Sequence, residues 1–70
     1  MKISARNILK GTIKEITPGA LNAEVILDIG NGVEISSQIT IASVKHLKLE
    51  KGKTAYAVIK SDHVMIGIDD

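Results

Sequence analysis

Apolar and polar residues alternate along most of this chain, and glycine or asparagine separates one alternating segment from the next. The clearest segment, residues 21–29, carries apolar side chains at every second position: Leu21, Ala23, Val25, Leu27 and Ile29. This alternation predicts a β-strand with one buried face. Residues 33–40 alternate in the same way. Between the two segments, Gly30-Asn31-Gly32 predicts a hairpin turn, since Asn and Gly tolerate positive φ.

The rest of the chain predicts three more strands and one helix. The strands are expected over residues 8–17, 54–60 and 63–68. The first of them is rich in β-branched residues and ends at the turn dipeptide Pro18-Gly19. After residue 40 the apolar residues Ile41, Val44 and Leu47 are three apart, which is typical of one face of a short helix. Thr40 is its predicted N-cap, and basic residues lie near its end, where the helix dipole favours them.

The predicted element order is β-β-β-α-β-β. It indicates an all-β protein with the OB-fold architecture: a five-stranded barrel with one short helix between strands 3 and 4. We expect residues 1–70 to form a single domain. An SH3-like barrel, in which the helix is reduced to a turn, is the alternative. Ile26 and Met65 fall on the outer faces of their strands, either as scattered surface residues or as part of a subunit interface.

Length and composition favour an oligomer and exclude several kinds of stabilisation. A chain of 70 residues has a small core, and it has no cysteine for disulfides or thiolate metal sites. The two histidines, His46 and His63, lack metal-ligand spacing, so no metal cation is expected and both are interpreted as surface residues. Association with further copies of the chain is the remaining way to bury more apolar surface.

Charge and aromatic content argue against a nucleic acid partner, and the short apolar stretches argue against a membrane. The net charge is +1, and Tyr56 is the only aromatic residue available for base stacking. Apolar stretches are too short to span a bilayer, and the first residues lack the apolar core of a signal peptide. We therefore expect a cytoplasmic protein.

Catalytic chemistry is not expected. Ser61, Asp62 and His63 contain the residue types of a hydrolytic triad, but neighbours on a strand point to opposite faces. The same alternation is expected to turn Asp62 away from Ser61. No nucleophile elbow, phosphate loop or metal motif is present.

Hydrogen-bond donors occur together at three places: Ser4 with Arg6, Lys60 with Ser61, and Thr40 with Ser43 at the start of the predicted helix. All of them donate hydrogen bonds. An oxyanion with two negative charges and no proton needs donors only, with Arg or Lys to balance its charge. Taken singly, each of these residues also fits an ordinary solvated surface position, so an anion site and a plain polar surface both remain open at this point.

Six segments along the chain carry a family resemblance: Met1-Lys2-Ile3-Ser4-Ala5-Arg6-Asn7, Leu9-Lys10-Gly11, Asn22-Ala23-Glu24-Val25, Ile39-Thr40-Ile41-Ala42-Ser43-Val44, Leu49-Glu50-Lys51-Gly52 and Ala57-Val58-Ile59-Lys60-Ser61-Asp62-His63-Val64-Met65-Ile66. Together they resemble the molbindins, the small Mop-type molybdate-binding proteins. The start at Ser4-Ala5-Arg6-Asn7 is specific in combination with Ile59-Lys60-Ser61. The resemblance implies an OB-fold subunit in a hexamer, a trimer of dimers, with oxyanion sites between subunits.

The resemblance also implies a ligand and its site residues. The ligand is molybdate, with tungstate as a close substitute, and the implied role is intracellular storage or homeostasis of molybdenum. Six residues are implied as oxyanion ligands: Ser4, Arg6, Thr40, Ser43, Lys60 and Ser61. Four are implied for a second class of sites near a threefold axis: Gly19, Ala20, Leu21 and Asn22. The alternative functions are a nucleic-acid-binding OB module and a regulatory or assembly domain of a larger chain.

Overall fold

The computed structural model describes all residues, Met1–Asp70, and its main feature is one curled antiparallel sheet. Four strands form the sheet: β1 (Asn7–Pro18), β2 (Asn22–Gly30), β3 (Val33–Thr40) and β4 (Thr54–Ile59). Their spatial order is β3-β2-β1-β4. The helix α1 (Ile41–His46) follows β3, and a 3₁₀ turn (Ser61–His63) follows β4. The all-β, OB-like prediction with one helix before β4 is confirmed. No helix has the length and apolar character needed to cross a membrane.

The hairpin between β2 and β3 forms as the sequence predicts. Asn31 and Gly32 connect the strands with φ values of 55° and 74°. Positive φ at both turn positions suits the right-handed twist of the flanking strands. Asp28 adds a local contact, because its Oδ1 accepts a hydrogen bond of 2.8 Å from the backbone N–H of Gly30.

The core is small and centres on the inward face of β2. Only four residues are buried, and three of them are the predicted inward residues Ala23, Val25 and Leu27. The fourth is Ile13 of β1. Leu21 belongs to the same alternation, but it is 81% exposed because the strand begins one residue later, at Asn22.

The close approach of β1 to β2 depends on Gly11. A Cβ at this position would lie 2.5 Å from the carbonyl oxygen of Asp28 and 3.0 Å from a side-chain carbon of Leu27. Only glycine lets the two backbones approach this closely without displacing one of them. One register shift follows in β1, between Ile13 and Glu15, where the strand bends.

The predicted fifth strand does not form, so the sheet has four strands where five are expected. Residues 64–68 have no strand hydrogen bonds, and Met65, Ile66 and Ile68 are each about 90% exposed. The edge strands β3 and β4 are not paired with each other. Between them lies an apolar groove of about 650 Å³, to which Ile35, Ile39 and Leu49 contribute. Residues 64–68 pair with neither free edge, and the barrel stays open on this side.

Candidate functional site

Four of the six predicted oxyanion ligands line one groove where β1 begins and β4 ends. They are Ser4, Arg6, Lys60 and Ser61. The groove has a volume of about 420 Å³, and its other lining residues are Ile3, Ala5, Val58 and Asp62. The structure therefore brings the segment before β1 and the segment after β4 into one groove.

Strand pairing explains why two segments so far apart in sequence meet. Asn7 pairs with Ile59 in the antiparallel register of β1 and β4. The Asn7 side chain strengthens this pair, since its Nδ2 donates a hydrogen bond of 3.2 Å to the Ile59 carbonyl oxygen. The residues before β1 and those after β4 then leave the sheet from paired strands, which places Arg6 and Lys60 in the same groove.

A 3₁₀ turn shapes the β4 side of the groove. The N–H of His63 donates to the carbonyl oxygen of Lys60 at 3.0 Å, which folds the chain directly after β4. The expectation that strand alternation turns Asp62 away from Ser61 is therefore wrong, because these residues are not in a strand. Asp62 instead lines the groove, and its Oδ2 lies 3.9 Å from Nζ of Lys60.

The groove has a net positive charge. Arg6 and Lys60 contribute two positive charges and Asp62 one negative charge, so the lining sums to +1. Arg6 forms no ion pair with a carboxylate of this chain and keeps its guanidinium donors for another partner. Hydroxyl donors from Ser4 and Ser61 complete the polar lining. This arrangement suits a small anion better than a cation or an apolar ligand.

Thr40 and Ser43, the other two predicted ligands, lie away from this groove at the start of α1. Thr40 Oγ1 accepts a hydrogen bond of 3.0 Å from the backbone N–H of Ser43, so the predicted N-cap is confirmed. The Thr40 hydroxyl also donates to Ser43 Oγ at 2.8 Å. The Ser43 hydroxyl keeps its own hydrogen for an external acceptor.

The four residues implied for a second class of sites form the turn between β1 and β2. The turn closes on itself, with the N–H of Gly19 donating to the Asn22 carbonyl oxygen at 2.7 Å. It also contacts the helix start, since the N–H of Ile41 donates to the Leu21 carbonyl oxygen at 2.9 Å. This turn and the Thr40–Ser43 cap therefore share the end of the molecule at which β1 finishes, while the groove lies where β1 starts.

Sequence reasoning missed the groove's apolar wall and its carboxylate. Ile3, which precedes β1, and Val58 of β4 line the groove, and nothing in the alternation singles them out. A sequence signal for Asp62 did exist. Asp62 directly follows the predicted ligand Ser61, so its carboxylate stays near that ligand if the chain turns instead of continuing as a strand. Both histidines are exposed, as predicted, and neither lines the groove.

Comparison with known proteins decides the family. The TOBE domain family matches residues 3–66. The chain belongs to this family. This TOBE domain is 54% identical, over 99% of its length and all of the relative's, to the "Probable molybdenum-pterin-binding protein" of Haemophilus influenzae. The resemblance to the Mop-type proteins is therefore confirmed, and the family is one of binding proteins rather than enzymes.

Solved structures agree with the fold of this TOBE domain. MopII from Clostridium pasteurianum superposes with a TM-score of 0.90 at 43% identity, covering 96% of this chain and all of that one. The cytoplasmic molybdate-binding protein ModG, solved with molybdate bound, superposes with a TM-score of 0.93 at 48% identity. That comparison covers 99% of this chain and 49% of ModG, so the chain corresponds to about half of that protein.

Proposed function

We propose that this protein binds molybdate, with tungstate as a close substitute, and that it stores or buffers molybdenum in the cytoplasm without catalysing a reaction. We also propose that residues 1–70 act as a single domain. The observation that carries the proposal is the groove in which Arg6 and Lys60 lie beside the hydroxyls of Ser4 and Ser61. Relatives named for molybdenum-pterin or molybdate binding support the choice of ligand.

The chemistry of the groove matches a tetrahedral dianion. Every oxygen of molybdate accepts hydrogen bonds and none carries a proton at neutral pH. The Arg6 guanidinium offers a rigid fork of N–H donors, and the Lys60 ammonium adds a compact charge. Hydrogen bonds from charged donors to an anion are roughly twice as strong as neutral ones, so these two side chains supply most of the binding.

We propose that each site is completed by a second copy of the chain. The groove is open, and its four ligands come from the two neighbouring segments that leave the sheet before β1 and after β4. Thr40 and Ser43 are at the other end of β1 in the same chain, so a neighbouring subunit is the source of their donors. The turn residues Gly19, Ala20, Leu21 and Asn22 lie beside that cap and are our candidates for the second class of sites, near a threefold axis.

The open side of the barrel supports a homo-oligomer, which we propose to be a hexamer built as a trimer of dimers. The apolar groove between β3 and β4 lacks a strand, and the apolar segment 64–68 lacks a sheet. If two copies exchange these segments, the groove gains a strand and the segment gains a sheet. The segment then pairs with a free edge and buries Ile66 and Ile68. The alternative occupant is the chain's own segment, which would close a monomeric barrel.

Calorimetric titration with molybdate tests the ligand and the groove together. The wild type should bind molybdate and respond little to sulfate at the same ionic strength. Arg6→Ala should lose most of the binding and keep its circular dichroism spectrum. Lys51→Ala is the matched control, because it removes a cation from an exposed turn outside the groove. Equal binding by Arg6→Ala and wild type would disprove the assignment.

Mixed oligomers test whether the site is shared between subunits. Arg6→Ala and Ser43→Ala should each weaken molybdate binding alone. Refolding the two variants together should restore binding to some sites, because the intact Arg6 of one subunit then faces the intact Ser43 of another. A mixture that binds no better than the average of its parents would place both residues in sites within one chain.

Light scattering tests the assembly. The wild type should have the mass of six chains. Ile66→Lys should give a smaller species, since a charge on the segment 64–68 opposes its burial in an apolar groove. A monomeric wild type would contradict the exchange of segments and leave the chain's own segment as the occupant of the groove.

A further inference from the structure

Asp62 is the only carboxylate in the proposed anion groove. It lies opposite Lys60, with 3.9 Å between Oδ2 and Nζ, and both side chains are about 70% exposed. Nothing else in this chain holds Asp62 in place, because its carboxylate accepts no hydrogen bond from a neighbouring residue. An exposed pair of this kind contributes little to folding stability, so its consequences are expected at the groove.

We propose that Asp62 sets the anion selectivity of the groove. This inference rests on the proposed function. It has two parts: Asp62 weakens the binding of fully deprotonated dianions, and it favours oxyanions that carry a hydrogen. The groove is thus not restricted to donors, and its discrimination against hydrogen phosphate is smaller than that of a groove without the carboxylate.

The first part follows from charge. Arg6 and Lys60 together balance a dianion, but Asp62 reduces the lining charge from +2 to +1. Asp62 is also an anionic partner already in contact with Lys60, so a bound oxyanion must share that ammonium or displace the carboxylate. Like charges a few ångströms apart repel by an amount that changes affinity about fivefold even in water.

The second part follows from hydrogen-bond chemistry. Molybdate has no hydrogen to donate, so its oxygens find only repulsion at Asp62. Monohydrogen phosphate has the same charge and one hydroxyl, and a carboxylate is the strongest acceptor that a side chain offers. In a groove lined by donors alone, that hydroxyl would have to act as an acceptor or point to solvent, which costs binding energy.

Two variants separate the effect of the Asp62 charge from the effect of its hydrogen-bond acceptor. Asp62→Asn removes the charge and keeps an acceptor oxygen, whereas Asp62→Ala removes both. Glu50→Gln is the matched control, because Glu50 is an exposed carboxylate 3.8 Å from the ammonium of Lys53 and lies outside the groove. All proteins are titrated with molybdate and with inorganic phosphate at about pH 8, where phosphate is mainly the monohydrogen dianion.

Asp62→Ala should bind molybdate about fivefold more tightly than wild type. It should also raise the ratio of molybdate to phosphate affinity about tenfold. Asp62→Asn should tighten molybdate binding by a similar factor, and it should change the ratio of molybdate to phosphate affinity less. Glu50→Gln should change neither. The tightening should shrink at high salt, since it arises from screened charge, while the change in ratio should persist.

Two results would overturn the inference. An unchanged ratio in Asp62→Ala would mean that Asp62 does not meet the anion, and weaker molybdate binding would mean that it instead positions Lys60. Either result, with wild type binding molybdate normally, leaves the proposed function intact. Absence of molybdate binding by the wild type would remove the proposed function itself and this inference with it.

Discussion

Strand β2 and the C-terminal segment 64–68 carry similar runs of apolar residues and have opposite surroundings. In β2, Val25 and Leu27 are at most 6% exposed, because β1 and β3 pair with the strand on both sides. In the C-terminal segment, Ile66 and Ile68 are about 90% exposed, and no strand pairs with them. The same residue types thus form the core in one region and an unpartnered surface in the other.

This difference shows that a segment whose sequence suits a β-strand forms one only where partner strands are available. A β-strand needs neighbouring backbone groups for its hydrogen bonds and an apolar layer for its side chains. β2 obtains both from nearby hairpins, at low entropic cost. The C-terminal segment follows a 3₁₀ turn and pairs with no strand of its own chain, so neither requirement is met there.

Leu27→Ala should have the largest effect on stability. The side chain is buried among Ile13 and Val25, so its truncation leaves a cavity and should lower the free energy of unfolding by about 3 kcal/mol. Urea denaturation measures the loss. Ile68→Ala is the matched control: its effect should grow with protein concentration if the segment is buried only on assembly. Equal, concentration-independent losses would contradict the contrast between the two regions.

Gly11→Ala should rank second, with a loss of about 2 kcal/mol, because the new methyl group collides with the Asp28 carbonyl. Gly67→Ala tests the same change in the other region, where a Cβ would meet no atom. Its melting temperature should stay close to that of wild type. A loss for Gly67→Ala as large as that for Gly11→Ala would show that the C-terminal segment is tightly packed.

Thr40→Ala should cost about 1 kcal/mol in the absence of anions, because the N–H of Ser43 loses its capping oxygen. The effect is smaller than the two above because the cap is exposed and water replaces the lost acceptor. Thr40→Ser retains the hydroxyl and should restore most of the melting temperature. If serine restored nothing, the threonine methyl group would be the stabilising part.

Glu34→Gln should have the smallest effect, because the ion pair between Lys14 and Glu34 is on the exposed face of the sheet. A hydrogen bond from Lys14 to Glu34 and the charge of Glu34 raise the pKa of Lys14 above its usual 10.5. The pair therefore stabilises the fold below the usual lysine pKa, and this contribution is lost as pH rises through the raised value.

Melting temperatures at neutral pH and at an alkaline pH above the raised Lys14 pKa measure this prediction. The small deficit of Glu34→Gln at neutral pH should disappear in the alkaline sample. Glu50→Gln serves as the control, because its looser pair with Lys53 should leave both melting temperatures near those of wild type. A deficit that grew with pH would contradict the sign of the Lys14 pKa shift.

Much of the fold was accessible from local patterns. Alternation located β2 with its inward Ala23, Val25 and Leu27, and Asn31-Gly32 located the hairpin. The change of spacing after Thr40 located α1 and its cap. Each of these features depends on residues within a few positions of one another. The fifth strand was predicted wrongly for this chain, because alternation does not specify a partner.

The candidate site also has a part that was predictable from the sequence and a part that was not. Residue type and resemblance selected Ser4, Arg6, Lys60 and Ser61, and the structure brings these four into one groove. The presence of Asp62 in the groove was not predictable from alternation, since the 3₁₀ turn replaces the strand that would have turned it away. The separation of Thr40 and Ser43 from the groove likewise required the sheet order.

By itself, the sequence determined the element types, the inward face of β2, the helix cap and the donor chemistry of the motifs. These properties follow from backbone preferences and side-chain groups that act over one turn or one strand. Only the tertiary structure decided that the segments before β1 and after β4 share one groove, that Asp62 is part of it and that the barrel is open beside an apolar segment. Those features depend on strand order and register, which arise from contacts between residues distant in the chain, and no local pattern encodes them.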